Sequence, residues 1–194
     1  MRKPVTVYFG HYSQHKGRME TPVEWLVLTE EDTRILVISK YALSCQPYNT
    51  TNAEVTWETC TLRKWLNETF LNDAFSKEEQ DLISTVAIGA EMEHGNDTLD
   101  RIFLLSTPEV NNYFSTDTDR QCKPTEITIE LGCAADNDTG NCRWWLRSSG
   151  YQSTHAAYVS PIGFVYPPGR IVNSSAGAVR PALWINKKVL DFQA

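Results

Sequence analysis

Two aromatic-rich blocks near the C-terminal end constrain this chain more than anything else in it. The first reads Arg143-Trp144-Trp145-Leu146-Arg147-Ser148-Ser149-Gly150, the second Ala178-Val179-Arg180-Pro181-Ala182-Leu183-Trp184-Ile185. Between them small or apolar residues recur: Ala156, Ala157, Val159, Gly163, Val165, Gly169, Val172 and Gly177. The interleaved residues share no chemistry: Tyr151, Ser153, His155, Ser160, Pro161, Ile162, Phe164, Tyr166, Pro167, Pro168, Arg170, Asn173 and Ser174. A packed core does not take such a mixture, and a catalytic site needs fewer, better matched polar groups. A surface that displays side chains for binding can use it.

Composition narrows the setting. A length of 194 residues fits one domain, expected to span 1–194, and is enough to bury a core without metal or disulfide staples. The net charge of −6, with no Lys/Arg cluster, leaves no electrostatic footprint for nucleic acid. No run approaches the roughly 20 apolar residues of a membrane helix. The start, Met1-Arg2-Lys3-Pro4, is basic but lacks an apolar signal-peptide core, so the sequence assigns no compartment. Cys45, Cys60, Cys122, Cys133 and Cys142 form an irregular, odd set without a Cys-x-x-Cys pair, which argues against zinc. They are expected as reduced, partly buried thiols, with a Cys133–Cys142 loop clip as the alternative. Asn-x-Ser/Thr sequons begin at Asn49, Asn67, Asn96, Asn137 and Asn173.

Along the chain, Val5–Phe9 alternates like a strand. Val23–Leu28 and Arg34–Ser39 read as an antiparallel hairpin, its second strand apolar enough to be covered on both faces. Thr56 is the expected cap of a helix carrying the stripe Leu62, Trp65, Leu66 and Phe70. Ser76 and Glu79 form a capping box for a second helix with Leu82, Ile83 and Val86 on its buried side. Arg101–Leu105 reads as a strand, and Thr107-Pro108-Glu109 opens a short helix bearing Val110 and Phe114. Residues 115–141 read as a long polar loop. A hairpin over 155–160 and 164–166 turns at Pro161-Ile162-Gly163. Ala178–Ile185 is the terminal strand, with Pro181 marking an edge or bulge. Strands at both ends around helices predict an α+β domain.

Within the blocks, Trp144, Trp145, Arg147, Arg180 and Trp184 are expected as scaffold, because adjacent strand residues such as Trp144 and Trp145 point to opposite faces and cannot share a ligand. Arg147 and Arg180 are then expected to meet buried acceptors or stack on indoles. Asp136-Asn137-Asp138-Thr139-Gly140-Asn141 is oxygen-rich enough for calcium. Its spacing is not that of an EF-hand and Arg147 stands where a closing Glu would be needed, so a solvated turn is expected. The histidines, His11, His15, His94 and His155, sit in loop-like contexts without a catalytic motif. A Cys–His pair such as Cys142 with His155 is left open as a nucleophilic arrangement, since such pairs assemble across the chain. No metal or cofactor is expected.

Trp144-Trp-Leu-Arg-Ser148, Ala156-Ala-Tyr-Val159, the Gly163-x-Val165 and Gly169-x-x-Val172 rhythm and Val179-Arg-Pro-Ala-Leu183 together resemble the variable proteins of diversity-generating retroelements. More broadly they resemble a domain family of unknown function common in gut bacteria and their phages. Glu24–Leu28, Ile38–Ala42 and Trp57-Glu-Thr-x-x-Leu-Arg-x-Trp-Leu66 fit the same pattern, which is weakest over about 115–141. The resemblance implies a C-type lectin fold close in architecture to formylglycine-generating enzymes, with two to three helices and paired N- and C-terminal strands. It also implies a variable ligand-binding region over about 143–183. The implied binding residues are Tyr151, Ser153, His155, Ser160, Ile162, Phe164, Tyr166, Pro168, Arg170, Asn173 and Ser174. Members without a retroelement usually carry Asn, Asp or Gly at such positions; the aromatic, proline and arginine residues here favour a diversified or partner-selected surface. The calcium–sugar triplets of vertebrate lectins are absent, so no carbohydrate specificity is inferred. The copper-binding cysteine pair of the enzyme relatives is separated by four residues; Cys133 and Cys142 are separated by eight, so that chemistry is not carried over.

The leading expectation is therefore a binding protein for a protein or other macromolecule. One alternative is a cysteine-dependent oxidase or hydrolase, resting on Cys133, Cys142 and His155. Another is a structural module of a bacterial or phage assembly. Oligomeric state is left open.

Overall fold

The computed structural model describes residues 5–90 and 95–191. In chain order it has β1 (Thr6–Tyr12), β2 (Thr21–Glu30), β3 (Arg34–Ser39) and β4 (Ser44–Cys45). Next comes α1 (Thr61–Trp65), which runs through a π-turn over Leu66–Phe70 into α2 (Leu71–Ala74), followed by α3 (Lys77–Gln80). Then follow β5 (Val86–Ile88), β6 (Thr98–Asp100), β7 (Ile102–Phe103), α4 (Thr107–Tyr113), α5 (Asp117–Arg120) and α6 (Glu126–Glu130). The last part holds β8 (Trp144–Ser149), β9 (His155–Val159), β10 (Val165–Ile171), β11 (Ala178–Val179), β12 (Ala182–Asn186) and α7 (Lys188–Asp191).

Strands outweigh helices, 35% to 20%. One five-stranded sheet has the order β1-β2-β3-β12-β7, a second the order β10-β9-β8-β11-β4, and β5 and β6 form a ribbon. The expected α+β, C-type lectin architecture with two to three helices and paired terminal strands is thus corrected to a β-rich fold. The terminal strands share a sheet but do not pair: β1 borders only β2, while β12 lies between β3 and β7. β2 and β3 lie between them.

The helices stay short because each start signal soon meets a strand. Ser76 and Glu79 do form the capping box. The helix nevertheless ends at Gln80, since Ile83 bridges Ile185 and Val86 enters β5, so the expected buried face Leu82, Ile83 and Val86 is not a helical one. Cys60, not Thr56, caps α1; Thr56 opens the preceding turn by accepting from the Thr59 and Cys60 amides. The stripe itself holds: Leu62, Leu66 and Phe70 are buried, and Trp65 is half-buried against Phe70. Asn67 fixes the π-turn to β7, its amide oxygen accepting from the Arg101 and Ile102 amides at 2.9 and 3.1 Å.

The β2–β3 hairpin forms as expected, and five of the six β3 residues are buried. Arg101–Leu105 supplies only the two-residue β7 to a sheet. The expected terminal strand over Ala178–Ile185 breaks at Arg180-Pro181. Its first part, β11, joins the second sheet beside β4 and β8; β12 joins the first. The chain makes the same crossing between β3 and β4, and the two crossings are laced together by Ser39 N–H to Pro181 O (2.9 Å) and Leu43 N–H to Val179 O (3.0 Å). The two sheets are in this way one framework.

Candidate recognition face

The second sheet is built on its tryptophans. Trp144 and Trp145 are wholly buried, and their indole N–H groups donate to Arg120 O (3.1 Å) and Gln46 O (2.9 Å). Each such ring removes roughly 150–250 Å² from water, several kcal/mol at about 25 cal/mol per Å². Gly177 allows this packing, since a Cβ there would lie 1.9 Å from the Trp145 Nε1. Arg180, buried, sits over the Trp144 ring at 4.9 Å and donates to Ser39 O at 2.9 Å. Arg147 pairs with Glu109 and donates to Leu104 O at 2.9 Å. Glu109 also accepts from the Ser106 amide, so one carboxylate caps α4 and holds β8. Trp184 is half-buried with the Arg34 guanidinium 4.4 Å over its ring.

On this frame the β9–β10 hairpin and the turns at its base carry the exposed side chains. Tyr151 is 79% exposed, Ile162 61%, Phe164 52% and Tyr166 39%, and Arg170, Ser153 and Asn173 are also exposed. Their interleaved neighbours Ala156, Ala157, Val159, Val165 and Val172 are buried. The two-residue alternation of a strand explains the split, since Phe164 and Tyr166 leave on one side while Val165 leaves on the other.

The backbone under these residues is fixed. The tip turns with Gly163 N–H to Ser160 O at 2.9 Å and Phe164 N–H to the Ser160 hydroxyl at 3.1 Å. Gly163 has φ +87°, and a Cβ on it would fall 1.7 Å from the Asp117 carbonyl oxygen. Asn141 and Gln121 side-chain amides donate to the Pro161 and Ile162 carbonyls at 3.1 and 3.3 Å. The segment expected as a loop over 115–141 therefore holds α5 and α6 and buttresses the tip. At the other end, Tyr151 N–H donates to Pro168 O (3.1 Å) and Gly150 N–H to His155 O (2.7 Å).

Four expected binding residues are less free than their neighbours. His155, Ser160, Pro168 and Ser174 are half-buried. The Ser160 hydroxyl serves the turn, and the Ser174 hydroxyl accepts from Arg170 Nε at 2.8 Å. Two members of the face carried no separate signal: Tyr158, half-buried, lies 5.1 Å from Tyr166 ring to ring, and the Arg143 guanidinium lies 5.0 Å over Tyr158. Cross-strand pairing brings both in, since Tyr158 is opposite Tyr166 and Arg143 stands two residues before Trp145, whose partner is Tyr158.

Residues 32–187 match the family model described as a domain of unknown function (DUF6273). The chain belongs to that family. The matched span takes in β3 to β12, with the hairpin face and the buttressing segment, and leaves out β1 and β2 of this DUF6273 protein. No curated protein and no solved structure matches the chain.

The other candidate sites stand apart from this face. All five cysteines are free. Cys142 precedes the end of β8 that pairs with Val159, whereas His155 lies at the far end of β9, about 13 Å along the strand, so the Cys142–His155 pair does not form. The Asp136 carboxylate is spent on its own turn, accepting from the Thr139 amide and hydroxyl at 2.9 Å and the Asp138 amide at 3.2 Å. The Thr139 contacts, then the Asp138 amide, hold it below the usual carboxylate range. His94 and Met1–Pro4 lie outside the described residues. Among the described residues no three His, Cys, Asp or Glu side chains are placed to hold a metal, and no helix is long and apolar enough to cross a membrane.

Proposed function

We propose that this DUF6273 protein is a recognition protein that grips a protein partner with the exposed side chains of its β9–β10 hairpin. The observation that carries the reading is the separation of roles within one short stretch. Frame residues are buried and hydrogen-bonded, while Tyr151, Ile162, Phe164 and Tyr166 stand in water. Large apolar side chains exposed at several points of a fixed backbone carry a cost in water unless something covers them. Tyrosine and arginine suit the task, offering wide contact at little entropy cost together with polar handles.

The edge of the sheet supports contact through side chains. β10 is the outer strand, and between Tyr166 and Arg170 it bulges through Pro167-Pro168-Gly169. Prolines offer no N–H to an added strand, so partner binding by extension of the sheet is disfavoured. The face takes the partner against its rings and the Arg143 and Arg170 cations instead.

We further read the region over about 143–183 as a variable segment like those of diversity-generating retroelement proteins. Ser160 apart, whose hydroxyl holds the Phe164 amide, the frame keeps its hydrogen bonds on backbone and buried groups, which tolerates replacement of the exposed side chains. Neighbouring DNA tests this: a reverse transcriptase with a near-copy of these codons differing at adenines is the expected finding, and its absence removes the diversification reading. For recognition itself, Phe164, Tyr166 and Arg170 are replaced together by Ser. The variant is expected to melt within a few degrees of the parent and to lose partner capture. Loss of folding would make these residues core and end the proposal.

A further inference from the structure

Four of the five cysteines form one chain of contacts beneath the hairpin tip. The Cys133 side chain touches those of Cys45 and Cys142, and Cys142 in turn touches Cys122. Cys60 stands apart, capping α1. The thiols have different commitments. Cys45 donates to Ser175 O at 3.1 Å, and Cys122 to Lys123 O and Lys40 O at 3.6 and 3.7 Å. The Cys142 thiol, wholly buried, has sulfur on both sides.

The backbone places Cys133 two residues before the residue that bridges Cys142. Ala135 bridges Cys142, and the intervening loop is closed by Asp136 N–H to Asn141 O and Gly140 N–H to Asp136 O, both 2.8 Å. Closing the loop beforehand removes most of the entropy cost of joining the two sulfurs. We propose that Cys133 and Cys142 are a reversible dithiol–disulfide site for a small-molecule disulfide. Cys133, at 4% exposed against 0% for Cys142, is the entry thiol, and Cys142 resolves it.

The Cys133 thiolate attacks one sulfur of oxidised glutathione; the disulfide breaks, and one glutathione leaves with the proton that Cys133 lost. Cys142 then gives up its proton and its sulfur attacks the Cys133 sulfur, releasing the second glutathione as a thiol. Two protein thiols lose two electrons, and one disulfide becomes two thiols. The surroundings favour this order. The Cys142 thiol first, then the neighbouring Cys45, hold the Cys133 thiol below its usual range against the effect of burial, with Arg143 adding to them, while Cys122 first, then Cys133 and burial, push Cys142 up. The new bond would tie the root of the loop that carries Asn141, and through its bond to Pro161 O would stiffen the display tip. The thiol chemistry stands whether or not that tip meets a partner.

The test treats the full folded chain with oxidised glutathione, then denatures it, blocks thiols with N-ethylmaleimide and weighs it. Three of the five thiols should take the label, recovering to five after reduction, and peptide mapping should join Cys133 to Cys142. Cys60→Ser should still lose two thiols. Cys142→Ser should retain a glutathione adduct on Cys133 that does not resolve. Five labelled thiols in the treated parent chain, or a linkage that omits either Cys133 or Cys142, would overturn the proposal.

Discussion

The Tyr151 amide donates a 3.1 Å hydrogen bond to the Pro168 carbonyl, so the turn after β8 and the bulge in β10 are held as one piece. That bond uses backbone alone. Side chains at 151 and 168 can change without breaking it; at the tip Ser160 O likewise accepts from the Gly163 amide, with the Ser160 hydroxyl adding a side-chain bond to the Phe164 amide. The face combines a fixed backbone with replaceable side chains.

Gly163→Ala should damage the tip. At φ +87° with a Cβ 1.7 Å from Asp117 O, alanine has no room, and the turn or α5 must move. A loss of about 2 kcal/mol is expected, in the range of forced backbone strain, read by urea denaturation. Unchanged stability would show that the tip is not fastened to α5.

Glu109→Ala should cost more. It leaves the buried Arg147 guanidinium without its carboxylate and strips the Ser106 amide of its capping partner. Removing one member of a buried pair typically costs about 3–5 kcal/mol. Glu109 is 29% exposed, so the lower end is expected, measured as a fall in the denaturant midpoint.

Tyr12 gives the chain an alkaline limit. Burial first, then the Asp73 and Glu20 carboxylates, push its phenol from 10.0 up to about 12. The raised value means the folded state holds the proton more tightly than the unfolded one. The associated stability is complete below about pH 10 and is lost as pH rises through about 12. Tyr12→Phe keeps the edge-to-face contact with Phe70 at 4.9 Å and should flatten this part of the stability–pH curve. An equally steep loss in Tyr12→Phe would place the alkaline transition elsewhere.

Local chemistry made some elements legible and hid others. The Ser76–Glu79 box, the Pro108 helix start, the β2–β3 hairpin and the turn at Pro161-Ile162-Gly163 are written in neighbouring residues and are found where they were expected. The scaffold role of Trp144, Trp145 and Arg180 follows from alternation and size. Pairing partners are not local. Nothing in Val86 itself says that it meets Asp100 in a ribbon, so its apolar spacing reads as helix. The break at Arg180-Pro181 is visible as a proline, but its meaning, a crossing between sheets, depends on Ser39 and Leu43 more than a hundred residues earlier. The α+β expectation failed for this reason: capping signals mark where helices begin, while the strand partners that end them lie far along the chain. Arg143 and Tyr158 were missed at the face because their stack with Tyr166 spans three strands.

Photo-crosslinking tests the recognition face most directly. A benzoylphenylalanine placed at Phe164 is compared with one at Leu99, also exposed but on the β5–β6 ribbon. Position 164 should give a discrete crosslinked product in the native cell extract, suppressed by excess parent protein and untouched by the Phe164/Tyr166/Arg170→Ser variant. Equal crosslinking from position 99, or equal competition by that variant, would contradict the account.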